Sequence, residues 1–356
     1  MMKNIDSDIT IIGGGLTGLT LAYLLSKKNI SVRILEARSR LGGRIFTKKK
    51  EGCAPQEMGA TWLGKRHTAL IRLLRELDLD IFEQVLGETA IYEPISTSPP
   101  QLVSLPPNSD PSFRIQGGST SLIDALVKTL DENTIHTQQI VQSIEKENTL
   151  LSVKSNDYDI RSKMVISTLP PFLLSKSIEI KPKLPDSLLS IVEQTHTWMG
   201  ESIKISLSYQ QPFWRANNTS GTIFSNVGPI PEMYDHSNVE DTAYGIKGFL
   251  NGSYFSISKE KRLELVMKQL EKYYGEVVRD FLSYEETVWR NEPFTFVPYS
   301  SHVLPHQNNG HRVYQQSYLD GKLFIAGSET AKNFPGYMEG AVQSALFVVQ
   351  KIENQV

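Results

Sequence analysis

The stretch Asp8-Ile-Thr-Ile-Ile-Gly13-Gly14-Gly15-Leu16-Thr17-Gly18 decides how the rest of the chain is read. A short apolar run feeds directly into glycines and then into a helical stretch from Leu19 to Lys28, the pattern of a strand, a tight turn and a helix. Gly13, Gly15 and Gly18 have the spacing G-x-G-x-x-G, in which the glycines permit the turn and let a pyrophosphate approach the backbone at a helix N-terminus. Alone this spacing is weak evidence. Its context strengthens it, because Val32 to Leu35 form a second apolar strand that ends in Glu36, where a carboxylate would take ribose hydroxyls. The sequence therefore predicts an α/β fold with a Rossmann-like domain that binds a dinucleotide.

A second informative segment lies at the other end. In Leu323-Phe-Ile-Ala-Gly-Ser-Glu-Thr-Ala-Lys-Asn-Phe-Pro-Gly-Tyr-Met-Glu-Gly-Ala-Val-Gln-Ser-Ala345, residues Leu323 to Ala326 read as a buried strand. A helix is expected to open at Gly336, with Ala341, Ala345, Val348 and Ile352 at core spacing. Its free N–H groups and partial positive charge suit an anion or an electron-rich ring edge.

Composition bounds the rest. With 356 residues, 40% of them hydrophobic, the chain can bury a large core and is expected to form two connected domains. A net charge of −2 gives no reason to expect nucleic acid or an anionic membrane as partner. No stretch approaches the roughly 20 apolar residues of a membrane helix. The polar N-terminal residues Asn4 to Asp8 and the short strand they enter argue against a signal peptide. Cys53 is the only cysteine, which excludes an internal disulfide and a thiolate cluster, and the seven histidines show no ligand spacing. These features point to a cytoplasmic, metal-free protein.

Pro94 to Pro111 carries six prolines among serines and is excluded from a helix or central strand. Helices are expected over Thr68 to Leu79 and Ser121 to Leu130, and strands around Ile135 to Ile144, Thr149 to Val153 and Met164 to Thr168. From about Ile191 to Trp289 the pattern changes to strands at Glu201 to Tyr209, Thr222 to Val227 and Ala243 to Leu250, then a helix. Ser258 is its expected N-cap and Gly275 its stop. Since both end motifs belong to a nucleotide fold, the domains are expected to be discontinuous. Residues 1–75, 113–190 and 290–356 are read as the nucleotide domain, and 76–112 with 191–289 as an α+β substrate domain.

At these residues the sequence resembles the flavin-containing amine oxidases, the monoamine and polyamine oxidase group, over most of its length. The resemblance is carried by Glu36-Ala-Arg-Ser-Arg-Leu-Gly-Gly-Arg44, Gly59-Ala-Thr-Trp62, Ser167-Thr-Leu-Pro-Pro171, Ile203-Lys204 to Pro212-Phe-Trp214, Tyr284-Glu-Glu-Thr-Val-Trp289 and the closing segment. It implies FAD as cofactor, with Gly13, Gly15, Leu16, Thr17 and Gly18 around the pyrophosphate and Glu36 on the adenosine ribose. Ala37, Arg38, Gly43 and Arg44 would follow along ribose and phosphate, and Gly59, Ala60, Thr61 and Trp62 would also contact the cofactor. Ile140 would touch the adenine. Gly327, Ser328 and Glu329 would line the diphosphate and ribityl chain, with Gly336, Tyr337 and the Met338 N–H at the flavin.

For catalysis, alternation along Glu201 to Ser208 reads Lys204 as a solvated outer-face residue. The resemblance reverses this. It implies that Lys204 holds a water near flavin N5 and assists reoxidation, that Tyr337 and Tyr299 guide a small amine, and that Trp289 packs beside the flavin. The implied reaction moves a hydride from the carbon next to the amine nitrogen to flavin N5, followed by imine hydrolysis and reoxidation by O2 to H2O2. Two departures stand out. Pro298 precedes Tyr299 where animal monoamine oxidases carry a flavin-linked cysteine, so FAD is expected to be noncovalent. Between Tyr92 and Phe113 the family usually has a helical insertion walling the substrate cavity, and here there is only the proline-rich link. The pocket is then wider, covered by a partner subunit such as a second copy in a homo-oligomer, or adapted to another substrate. The chain also ends soon after its last helix, without the membrane tail of the mitochondrial enzymes. A renalase-like oxidase of reduced nicotinamides, a desaturase, and a flavin-binding subunit without turnover are the alternatives.

Overall fold

The computed structural model of the protein describes residues 3–354. The strand Lys3–Ile12 runs parallel to both Val32–Leu35 and Tyr158–Ser167 in a nine-stranded sheet. Ile135–His136 extends this sheet beyond Val32–Leu35, and Leu323–Ile325 lies parallel to the last residues of Tyr158–Ser167. Parallel neighbours require crossovers, and the helix Leu16–Ser26 supplies the first. On one face Ile9, Ile11, Ile34 and Phe324 pack against residues of the helices Leu16–Ser26, Thr68–Glu76, Thr120–Lys128 and Met338–Glu353. On the other, Ile12, Leu35, Val165 and Ile325 meet Leu174 and Leu188. Burial on both faces explains why the inner ends of these strands, such as Ile9 to Ile12, Ile34-Leu35 and Leu323 to Ile325, are mostly apolar.

A second, seven-stranded sheet has the order Phe281–Val288, Ile203–Tyr209, Tyr244–Leu250, Glu232–Asp235, Ile223–Ser225, Thr89–Glu93 and Gln101–Ser104. The helix Lys259–Tyr274 covers one face, burying Val266, Met267 and Leu270 with Ile203, Ile205, Leu207 and Ile246. Its ends are as expected: the Ser258 side chain accepts from the Lys261 N–H, and Gly275 stops it at φ 77°. The outermost strand, Gln101–Ser104, falls inside the proline-rich link. Prolines bracket it and it occupies a sheet edge, where a missing N–H is tolerated.

All seven residues of Ile203–Tyr209 are buried. Ile203, Ile205 and Leu207 belong to the core under the helix, while Lys204 and Ser206 alternate with them and point toward the nucleotide-binding side. The solvated position that alternation assigns to Lys204 is therefore corrected: this sheet has a second covered face. Among the described residues no helix is long and apolar enough to cross a membrane.

Candidate active site

Two helix N-termini converge on one cavity of about 550 Å³ that runs between the two sheets. Leu16–Ser26 begins after Gly15 and Met338–Glu353 after Tyr337, and neither start is capped by a side chain. Their first N–H groups therefore lack intrahelical acceptors and carry the positive end of each dipole. The Thr17 hydroxyl donates to the Ala341 carbonyl at 3.2 Å and ties the two starts together. The second helix opens two residues later than the sequence suggested.

At the first start the backbone itself makes the cradle. A Cβ at Gly18 would lie 2.0 Å from the Gly13 carbonyl oxygen, so only glycine allows this contact between turn and helix. Gly18 consequently packs the turn and does not reach the cavity wall, whereas Gly13, Gly15, Leu16 and Thr17 do. Gly15 and Gly43 pass so closely that a Cβ on Gly43 would sit 3.3 Å from the Gly15 Cα, leaving bare backbone facing the cavity. Glu36, 4% exposed, accepts from the Gly14 N–H at 2.7 Å and the Arg38 N–H at 2.8 Å. Its carboxylate is thus fixed on the wall beside Ala37, Arg38 and Ile140. Arg38 is bound in turn to Glu292 at 3.0 Å and to the Thr295 hydroxyl at 2.8 Å.

Arg44 lines the cavity and grips Glu329 with two bonds, of 2.5 and 2.8 Å, while reaching the Trp198 carbonyl at 3.0 Å. Burial acts to raise the Glu329 pKa, but the Arg44 guanidinium outweighs it and holds the group below the usual carboxylate value. Glu329 and Gly327 are set back from the wall; Ser328 is on it and receives an Arg44 bond at 2.9 Å. From behind the wall Glu329 orients Arg44 toward the cavity.

At the other end, neighbouring strands set Lys204, Phe249 and Glu232 in one row across the second sheet, and all three line the cavity. Lys204, 6% exposed, donates to the Gly59 carbonyl at 2.5 Å and has its ammonium 4.9 Å from the Phe249 ring centre. Burial pushes its pKa down to about 8, against the pull of Glu57 and Glu232. Gly59, Ala60, Thr61 and Trp62 form the adjoining wall. Trp289 also lines it, held by its indole N–H on the Met58 carbonyl at 2.8 Å.

The aromatic pair differs from the expectation. Tyr337, 42% exposed, stands at the wall with Gly336 and Met338; Trp198 and His67 lie 6.0 Å from it and His306 6.4 Å, and of these Trp198 shares the cavity wall. Tyr299 is set back, packed 4.8 Å from Phe172, with its hydroxyl accepting from the Thr197 N–H at 2.6 Å. Trp198 also stacks on His306 at 3.9 Å.

Sequence reasoning missed Trp198, Phe249, Glu232, Lys247 and Glu339. Lys247 is fully buried, bonded to the Thr61 hydroxyl, with its ammonium 4.3 Å from the Trp62 ring centre. Glu339 is fully buried and accepts from the Ala69 and Leu70 N–H groups, at 3.1 and 2.7 Å, at the start of Thr68–Glu76. The signal for it was present in the Gly-Tyr-Met-Glu-Gly motif; none existed for Lys247.

The chain matches the family described as flavin containing amine oxidoreductases over residues 16–97 and 98–352, and it belongs to that family. It is 24% identical to a probable flavin-containing monoamine oxidase A of Dictyostelium discoideum, with 98% of each chain covered. It is also 24% identical to amine oxidase [flavin-containing] B of Mus musculus, covering 98% of this chain and 86% of the relative. The first alignment spans 454 positions, so the relative carries residues absent from these 356. Putrescine oxidase bound to putrescine superposes with a TM-score of 0.85 at 21% identity, covering 99% of this chain and 100% of that one. Cyclohexylamine oxidase from Brevibacterium oxydans gives 0.84 at 17%, with the same coverage.

The protein is an FAD-dependent, amine oxidase-like oxidoreductase of this family. The cavity fits FAD in two places, the bare Gly15–Gly43 backbone with a helix start for the pyrophosphate and the second helix start at Met338 for the flavin. Cys53 does not line this cavity, so no cysteine is placed to form a thioether with the flavin.

Proposed function

We propose that the protein oxidises small amines and uses O2 as the final acceptor, releasing H2O2 and an imine that hydrolyses in water. Bound FAD would supply the acceptor for a hydride from the carbon next to the amine nitrogen and the route for its electrons to O2. The residues of the chain bind and orient the substrate. Tyr337 and Trp198 present ring faces that attract an incoming ammonium. Oxidation needs the nitrogen lone pair, and the apolar surroundings of Phe249 and Trp198 favour the neutral amine by desolvating the charge. Glu232 offers a carboxylate to a second cationic group, which favours a diamine over an amino acid.

Lys204 is the observation that carries this reading. Its amine lies inside the cavity, bonded to a backbone carbonyl, and with a pKa of about 8 it is mostly protonated at neutral pH. It can therefore hold a water and place a positive charge where oxygen is reduced. The test is product stoichiometry: aerobic turnover of a diamine should yield one H2O2 per aldehyde formed. Aldehyde formation without peroxide, sustained only by an artificial acceptor, would remove the oxidase part of the reading.

A further inference from the structure

A second cavity, of about 350 Å³, lies apart from the first and includes Cys53, Glu57, Arg114, His236, Ser237 and Glu240 in its lining. Three of these side chains hold buried polar atoms without a partner: Arg114 Nε, His236 Nδ1 and Ser237 Oγ. Their residues are 7%, 2% and 2% exposed. Arg114 lies over the Phe82 ring at 4.5 Å and gives one bond, from Nη2 to the Ser237 carbonyl at 2.6 Å. Among the described residues no carboxylate comes within ion-pair distance of it, and Asp235 and Glu57 act on it only from farther off. Asp235, which precedes His236 and pulls on Arg114 from a distance, accepts its hydrogen bonds from Trp214 at 2.8 Å, Arg215 at 2.6 Å and the Ser237 N–H at 2.9 Å.

A buried guanidinium is costly unless an acceptor meets it, and one orphaned donor in a native interior calls for an explanation. Three orphans on one cavity wall call for a shared one. The geometry points to a binding site for a small carboxylate monoanion, held by Arg114 and completed by His236 and Ser237. The charge sets the valence. Burial lowers Arg114 to about 10, which leaves it cationic at neutral pH. Burial, with Arg114 beside it, keeps His236 neutral. Glu57, with its carboxyl already receiving the Thr47 hydroxyl at 3.0 Å and the Ser119 N–H at 2.5 Å, is raised by burial against the pull of Lys247. Glu240 at the rim is bonded to Gln116 and Asn238, both at 2.8 Å, and its charge opposes a doubly charged guest. Arg114 is the one cation in this lining, and with the carboxyl groups of Glu57 and Glu240 on the same walls a singly charged guest is better accommodated than phosphate.

Cys53 reports on the site, since it is the only cysteine and lines this cavity. The flavin-loaded protein is alkylated with iodoacetamide at constant ionic strength, sodium acetate replacing sodium chloride. Acetate should slow the reaction saturably. Iodoacetate should gain at Cys53, relative to iodoacetamide and to a free cysteine peptide, about tenfold, the worth of one charge-assisted hydrogen bond. Arg114→Met should abolish both effects. Ser237→Ala should weaken the protection while retaining flavin, and it decides the matter if the arginine variant fails to fold. Alkylation insensitive to acetate, with the reagent ratio of a free peptide, would mean that the cavity holds only water and overturns the proposal. Stronger protection by phosphate than by acetate would overturn the assignment to a carboxylate.

Discussion

The two ends of the long cavity are built by different means. Around Gly15 and Gly43 the wall is backbone, shaped by what glycine allows and charged by a helix start. Around Lys204 the wall is side chain: a lysine, a phenylalanine and a glutamate set in a row by strand register, with two aromatic rings opposite. The backbone end has almost no freedom to change and fixes the cofactor. The side-chain end can be varied without disturbing the glycine turn, and under the proposed function it sets the reaction.

This contrast breaks most sharply at Gly18. Gly18→Ala places a methyl 2.0 Å from the Gly13 carbonyl oxygen. Overpacking of this severity should cost about 3 kcal/mol or more, read as loss of flavin on purification and a lower denaturation midpoint. Lys204→Met should instead retain flavin and fold, and slow reoxidation by O2 at least about 10²-fold, the scale of a lost proton-handling group. Unchanged oxygen kinetics would remove Lys204 from the mechanism. The same step should titrate. Burial brings the Lys204 pKa down to about 8, so its charge disappears as pH rises through that value, well before an exposed lysine loses its own. The reoxidation rate should fall over that interval in the wild type and stay flat in Lys204→Met. Glu232→Gln should raise KM for a diamine about tenfold and leave a monoamine unchanged, the worth of one ionic hydrogen bond. The smallest effect falls outside the wall. Glu339→Gln weakens the carboxylate that receives two N–H groups at the start of Thr68–Glu76 and should cost about 1 kcal/mol in a denaturant titration without changing kcat.

The same contrast explains what was legible in the sequence. Gly13, Gly15, Gly18 and Glu36 are bound to their neighbours by local geometry, so their spacing is enough to read them. Leu323 to Ala326 and the following helix are likewise local. Trp198, Phe249 and Glu232 meet Lys204 and Tyr337 only after strands distant in the chain pair in register, and no local pattern marks them. Lys204 itself was legible only through resemblance, since alternation sees one strand and not the second layer that covers it. Tyr299 shows the opposite failure: counting from Trp289 found the ring, but folding turned it toward Phe172 and gave the place opposite Tyr337 to Trp198.

The central claim is that amine oxidation occurs beside Lys204, and anaerobic mixing tests it most directly. The oxidised, oxygen-free protein is mixed in turn with primary amines, diamines and polyamines, amino acids and NADH, and the flavin absorbance is followed. Bleaching by an amine, fastest with a diamine and absent with NADH, is the expected result. Bleaching by NADH alone, or by nothing at full flavin occupancy, would contradict it.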